Sequence, residues 1–172
     1  MTQKKFRVVE VAMEIAYENA KLKQIAEKYK DATAQACAMS NSVGVIGPLL
    51  LERIASQSDL GQEVIGVSLL YENVWIQGVH SWGQIFIEKK KVGHVLRSVL
   101  EDPGINLSIE MPEGEPQTIK VWKTKLHSAD IYLLDAPEIA SVVYPGPEDA
   151  PQGHANPGAW VERQKMYQYW LI

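Results

Sequence analysis

The stretch GPLLLERIASQSDLGQEVIGVSLLY, residues 47–71, decides how the chain is read. Gly47-Pro48 opens a helix, because proline fits a first turn that needs no N–H donor. Leu49, Leu50, Ile54 and Leu60 recur along it, and Gly61 supplies the left-handed residue that ends it. EVIGVSLLY then runs without a polar break, as a strand buried on both faces of a parallel sheet does. Upstream, FRVVEVAMEIA is rich in Val and Ile and reads as another largely buried strand. Strand, helix, strand is a βαβ unit with the two strands parallel.

Further segments extend this core. From about Tyr17 to Ala38, Leu22, Ile25, Ala26, Tyr29, Ala32 and Ala36 recur at helical steps, which predicts a helix over about 17–39. SNSVG breaks it. NVWIQGVHSWGQIFIE reads as a hairpin with Gly78 and Gly83 at its bends. INLSIEM, QTIKVWKTKL and ADIYLLDA read as three strands, joined by the turns MPEGEP and HSA. After Ala136 the pattern changes. Residues 137–172 hold a proline-rich, aperiodic stretch ending in WVERQKMYQYWLI. This is expected to be an extended arm whose aromatic end docks on another subunit. Trp160, Tyr167, Trp170, Leu171 and Ile172 are its candidate interface residues. The expected class is therefore α/β, a mixed sheet with flanking helices over 1–136 and an arm over 137–172.

Composition narrows the functions. The chain has 172 residues and a formal charge of −4. A domain of that size buries roughly 70% of the surface its unfolded chain exposes, enough for a true core. The acidic balance argues against nucleic acid as main partner, and Lys89-Lys90-Lys91 reads as a solvated turn. Cys37 is the single cysteine. It excludes an internal disulfide and reads as a small buried residue in an Ala-rich stretch. The basic head MTQKK lacks the apolar core of a signal peptide. No run approaches the ~20 apolar residues of a membrane helix. A protein made in the cytosol is expected.

The chemistry-bearing residues form no familiar catalytic set. His80, His94, His127 and His154 are scattered, so no metal is expected. Ser40 and Ser42 lack a nucleophile elbow. Glu10 and Glu14 are four apart and would share a strand face; solvated carboxylates are the ordinary reading. Trp75, Trp82 and Tyr71 would suit a sugar-stacking platform, but aromatics of this kind more often pack.

The ordered set VEVAMEIAYEN, GVIGPLLLERIASQSDLG, EVIGVSLLYENVWIQ, SWGQ and IKVWKTKLHSADIYLLDA resembles the N-terminal part of the α-glucan (glycogen or maltodextrin) phosphorylases, closest to their archaeal and bacterial branch. The likeness spans roughly residues 7–136. It implies a Rossmann-like half of the GT-B type, one wall of a two-domain cleft. The family's pyridoxal phosphate lysine and phosphate-binding residues belong to a second domain that this sequence does not resemble. No cofactor and no catalytic residue are therefore expected here, since such catalysis needs every reactant held together.

The glycine loop departs from the family's pattern. Gly44-Val45-Ile46-Gly47 stands where the family has Gly-Gly-Leu-Gly, and Leu50-Leu51-Glu52-Arg53 where it has Ala-Gly-Asp-His. Val45 resists the backbone freedom of glycine, and Leu51 fills space a ligand needs. Gly44, Val45, Ile46, Gly47, Leu51 and Glu52 are thus a ligand loop that has lost its ligand, while Ser58-Asp59-Leu60-Gly61 keeps its packing role. The helix near 17–39 has no counterpart of that length in the same branch.

Two functions follow from the likeness. One is a non-catalytic, self-associating structural protein; a filament or a virion capsid is one form of it, since head-to-tail contacts that do not close make open polymers. The other is a subunit of a split α-glucan phosphorylase, or a glucan-binding module, with a companion chain.

Overall fold

The computed structural model describes residues 7–16, 46–111 and 116–172, with Lys21, Lys23, Gln24 and Glu27. These four are helical. The rest of the expected helix over 17–39, Cys37, Ser40, Ser42, Gly44, Val45 and most of the MPEGEP turn lie outside the described residues.

The βαβ reading of the opening stretch is what the chain forms. Strand β1 (Arg7–Val11), helix α1 (Ile46–Asp59) and strand β2 (Glu63–Leu69) follow in order, and β1 pairs parallel with β2 from Arg7↔Glu63 to Val11↔Val67. Gly61, at φ +75°, ends α1 as only a residue without Cβ does easily. The hairpin β3 (Asn73–Val79) and β4 (Ile85–Lys91) follows, then the short helix α2 (Gly93–Val99). Strands β5 (Asn106–Glu110), β6 (Pro116–Leu126) and β7 (Ala129–Asp135) complete the main sheet. Its order is β1-β2-β7-β6-β5. β2 and β7 are parallel; β7–β6 and β6–β5 are antiparallel. The chain is thus a mixed α/β domain with flanking helices.

Burial explains why EVIGVSLLY is central. β2 lies between β1 and β7, so both its edges are paired; Val64, Ser68, Leu69, Leu70 and Tyr71 are buried, while Ile65 and Val67, on the face opposite Val64, are partly buried. Gly66 lets the layers close: a Cβ there would lie 2.6 Å from Ile131 Cδ1, 3.3 Å from Ile15 Cδ1 and 3.4 Å from Ile54 Cδ1. Ile54, Ile15, Leu70, Leu96, Ile131 and Leu133 form one core cluster, with Leu50 and Leu51 packed against it. A second cluster gathers Leu69, Tyr71, Ile119, Val121, Leu134, Ala140 and Val143. Of the α1 tail Ser58-Asp59-Leu60-Gly61, only Ser58 packs; Leu60, expected on the apolar face, is exposed. Ser58 is buried, bonds the hydroxyl of Ser128, and accepts the Ser128 N–H at 3.1 Å, tying α1 to the β6–β7 turn.

Three expectations need correction. Gly78 is no bend: it sits inside β3, with the Phe86 ring where a Cβ would go, and the turn is at His80–Gly83. Helix α2 stands where no element was expected. The larger correction concerns residues 137–172, which do not run out as an extended arm. Ile139, Ala140, Val142 and Val143 are buried, and Asn73 bridges to Val142. Helix α3 (Pro157–Leu171), capped by the Asn156 side chain, returns onto its own domain. Its buried stripe is Val161, Gln164, Gln168 and Leu171. Gln168 Nε2 donates to the carbonyls of Ile139 (3.0 Å) and Val142 (3.1 Å). The physical reason is polar pairing. Two glutamines satisfy loop carbonyls that strands would otherwise satisfy, and buried carbonyls need such partners. Of the expected anchors, Leu171 is buried and Tyr167 packs against the second core cluster. Trp160 is half-buried, while Trp170 and Ile172 face outward.

Candidate functional site

Strands β1, β2 and β7 run parallel, so their carboxyl ends share one edge, where open α/β sheets bind ligands. Two side-chain clusters stand there. The first surrounds Glu14, which lies past the end of β1 and is 2% exposed. The carbonyl of neighbouring Met13 accepts from Ser68 Oγ at 3.0 Å and Tyr71 Oη at 3.1 Å. Glu14 itself is hydrogen-bonded to the Tyr144 phenol. Burial, with Glu14 close by, pushes the Tyr71 phenol far above its usual range. Tyr144 sits at φ +52°, a conformation L residues seldom adopt. Its phenol is pushed up to about 12, first by the hydrogen bond to Glu14, then by desolvation.

The bond predicts a titration. A raised folded pKa favours the protonated, folded phenol, so its stabilising effect is complete below pH ~10 and disappears as pH rises toward 12. In Glu14→Gln the Tyr144 transition should move down toward the ordinary tyrosine value, read by tyrosinate absorbance. An unmoved transition would mean that the carboxylate does not hold the phenol.

The second cluster ties β7 to α2. Arg97 grips Asp135 with Nε and Nη2, both at 2.7 Å, and reaches Glu72 with Nη1 at 2.8 Å. Trp122 Nε1 donates to Asp135 at 2.8 Å, and Lys91 approaches Glu72 at 3.5 Å. The hydrogen bond to Asp135 chiefly raises the Arg97 pKa further above its already high value. This two-pronged grip is the strongest form of an ion pair. It leaves Arg97 committed to the fold.

The expected site residues are dispersed. Ile46 is exposed at the start of α1; Gly47 is buried and its carbonyl accepts the Ala16 N–H at 3.3 Å. Leu51 joins the core and Glu52 faces outward. Glu10 and Glu14 are no acid pair, because β1 ends at Val11 and Glu10 bonds Arg53 at 2.9 Å. The Trp75, Trp82, Tyr71 platform does not assemble. Tyr71 is buried in the core, Trp75 lies under Lys89, and Trp82 stacks on His80 at the hairpin tip with ring centres 4.2 Å apart. Lys89, Lys90 and Lys91 pair with Asp149, Glu88 and Glu72, so the basic run is neutralised locally. Among the described residues there is no cluster of metal ligands, and no helix is long and apolar enough to cross a membrane. Every described lysine is at least partly exposed.

Reading the sequence did not find Tyr144 or the Arg97–Asp135 pair. Asp135 was visible as the end of a Leu-Leu-Asp strand. Tyr144 lies in an aperiodic segment with no local signal. No protein-family model and no curated protein matches the chain.

Proposed function

We propose that the chain is a non-catalytic, self-associating module built on the plan of the N-terminal GT-B half of an α-glucan phosphorylase. One observation carries the reading. Val79, Ile85 and Ile87 share one face of the β3–β4 ribbon and are 59–67% exposed. The opposite face packs inward through Val74 and Ile76. A two-stranded ribbon is marginal in water, and an apolar outer face on it calls for a cover. Val9 and Val11 on the outermost strand β1, and Met166, Tyr169 and Trp170 on α3, add further exposed apolar area. An open polymer, such as a filament or capsid shell, is one arrangement that would cover such faces.

The Glu14–Tyr144 cluster favours a second reading, since a pure building block has little use for a buried acid at a ligand-binding edge. In that reading the chain is one wall of a glucan cleft, completed by a companion chain bearing the pyridoxal lysine. Both readings expect the chain alone to release no glucose 1-phosphate from maltodextrin and orthophosphate with pyridoxal phosphate present. Release by the pure chain would overturn both. Pyridoxal absorbance in the native complex would select the second.

A further inference from the structure

Helix α3 keeps an apolar face that its own domain does not cover. Met166, Tyr169 and Trp170 fall at i, i+3 and i+4 and are 44–68% exposed. With Glu162 and Lys165 they line an open groove of about 440 Å³. The two charges pair with each other at 3.1 Å, so neither stands bare in the groove. The outer face of the β3–β4 ribbon is a second exposed apolar surface, and its shape is different. It is a strip two strands wide, with no Asp, Glu, Lys or Arg from Asn73 to Ile87. One chain thus carries an open groove and a narrow strip, both apolar and both wanting a cover.

The two surfaces match in pitch and in charge. Along α3, Glu162, Met166 and Trp170 follow at four-residue steps, about 6 Å apart. Along β4, Lys89, Ile87 and Ile85 share one face at two-residue steps, about 7 Å apart. With the helix antiparallel to the strand, Glu162 meets Lys89, Met166 meets Ile87 and Trp170 meets Ile85. The reverse direction would set Trp170 on Lys89 and Glu162 on Ile85, so charge selects one orientation. Lys89 keeps Asp149 of its own chain and gains a second carboxylate. We infer that α3 of one copy docks on the β3–β4 ribbon of a second copy. This contact rests on the self-association proposed above and specifies its geometry. Unlike surfaces meet, so the contact runs head-to-tail, and each pair keeps one free groove and one free ribbon. Ribbon against ribbon across a two-fold axis would leave the α3 groove bare, whereas one repeated heterologous contact covers both faces.

The test mixes two variants of the full chain, read by light scattering on a sizing column, with circular dichroism to check folding. Ile85→Lys with Ile87→Lys spoils the ribbon and keeps the groove. Met166→Lys with Trp170→Lys spoils the groove and keeps the ribbon. Each variant alone should run as one chain, at concentrations where the parent forms species that grow beyond two. Their equimolar mixture should run at two chains and no more, because one intact contact remains. If Met166→Lys with Trp170→Lys fails to fold, Trp170→Lys alone takes its place. A groove variant that keeps the parent's mass, a mixture that stays at one chain, or a parent that stops at two chains would overturn this contact and leave self-association standing. A parent of one chain at every concentration would overturn both.

Discussion

Deleting residues 157–172 should destabilise the domain by several kcal/mol, enough to unfold it at ordinary temperature, rather than trim a free arm. Val161 and Leu171 are buried on the domain's own core, and burial of such side chains is worth roughly 1.5–3 kcal/mol each. Gln168 is fully buried and bonds the carbonyls of Ile139 and Val142; Gln164 bonds that of Ile139 as well and adds that of Glu138, three carbonyls in all. A buried acceptor left unpaired costs about 1–3 kcal/mol. These sums approach the roughly 5–15 kcal/mol by which whole domains are stable. Gln168→Ala alone should lower stability by about 1–3 kcal/mol in urea denaturation, by stranding the carbonyl of Val142 and leaving that of Ile139 to Gln164. Trp170→Ala, on the outward face, should change it by less than about 0.5 kcal/mol. A truncated chain with an unshifted urea midpoint would show that α3 is not part of the domain.

Asp135→Ala should cost about 3–5 kcal/mol, the loss expected when one partner of a buried ion pair is removed. Asp135 is 8% exposed and accepts three hydrogen bonds, two from Arg97 and one from Trp122. Its loss leaves the Arg97 guanidinium with only Glu72 and strands the indole N–H. Joint replacement, Arg97→Met with Asp135→Leu, should cost less than Asp135→Ala, because no guanidinium is left without its main partner and Glu72 keeps Lys91 at 3.5 Å. Equal urea midpoints for Asp135→Ala and the parent would show that the network does not hold α2 to the sheet.

Elements announced by local pattern were legible. EVIGVSLLY reads as central because its positions after Glu63 are apolar but for Ser68, and it became the strand paired on both sides. HSA reads as a tight turn, and His127 indeed adopts φ +55° there. What escaped depends on partners distant in sequence. Helix α3 has its buried stripe at Val161, Gln164, Gln168 and Leu171, and half of that stripe is glutamine. Hydrophobicity therefore points to Trp170, on the outward face, while the decisive contacts are amides meeting carbonyls some 25–30 residues away. The Glu14 cluster escaped for the same reason. It joins residues from three separate segments, and Tyr144 reaches it through a left-handed backbone no sequence rule assigns to tyrosine.

The measurement that bears most directly on the proposed function is the mass of the chain in solution, by light scattering on a sizing column. It should be made across concentrations for the parent and for Ile85→Lys with Ile87→Lys. The parent should run at two or more chains. The doubly charged hairpin face should drop it to one chain with unchanged circular dichroism, since neither side chain belongs to the core. A parent that stays at the mass of one chain at every concentration would contradict the account.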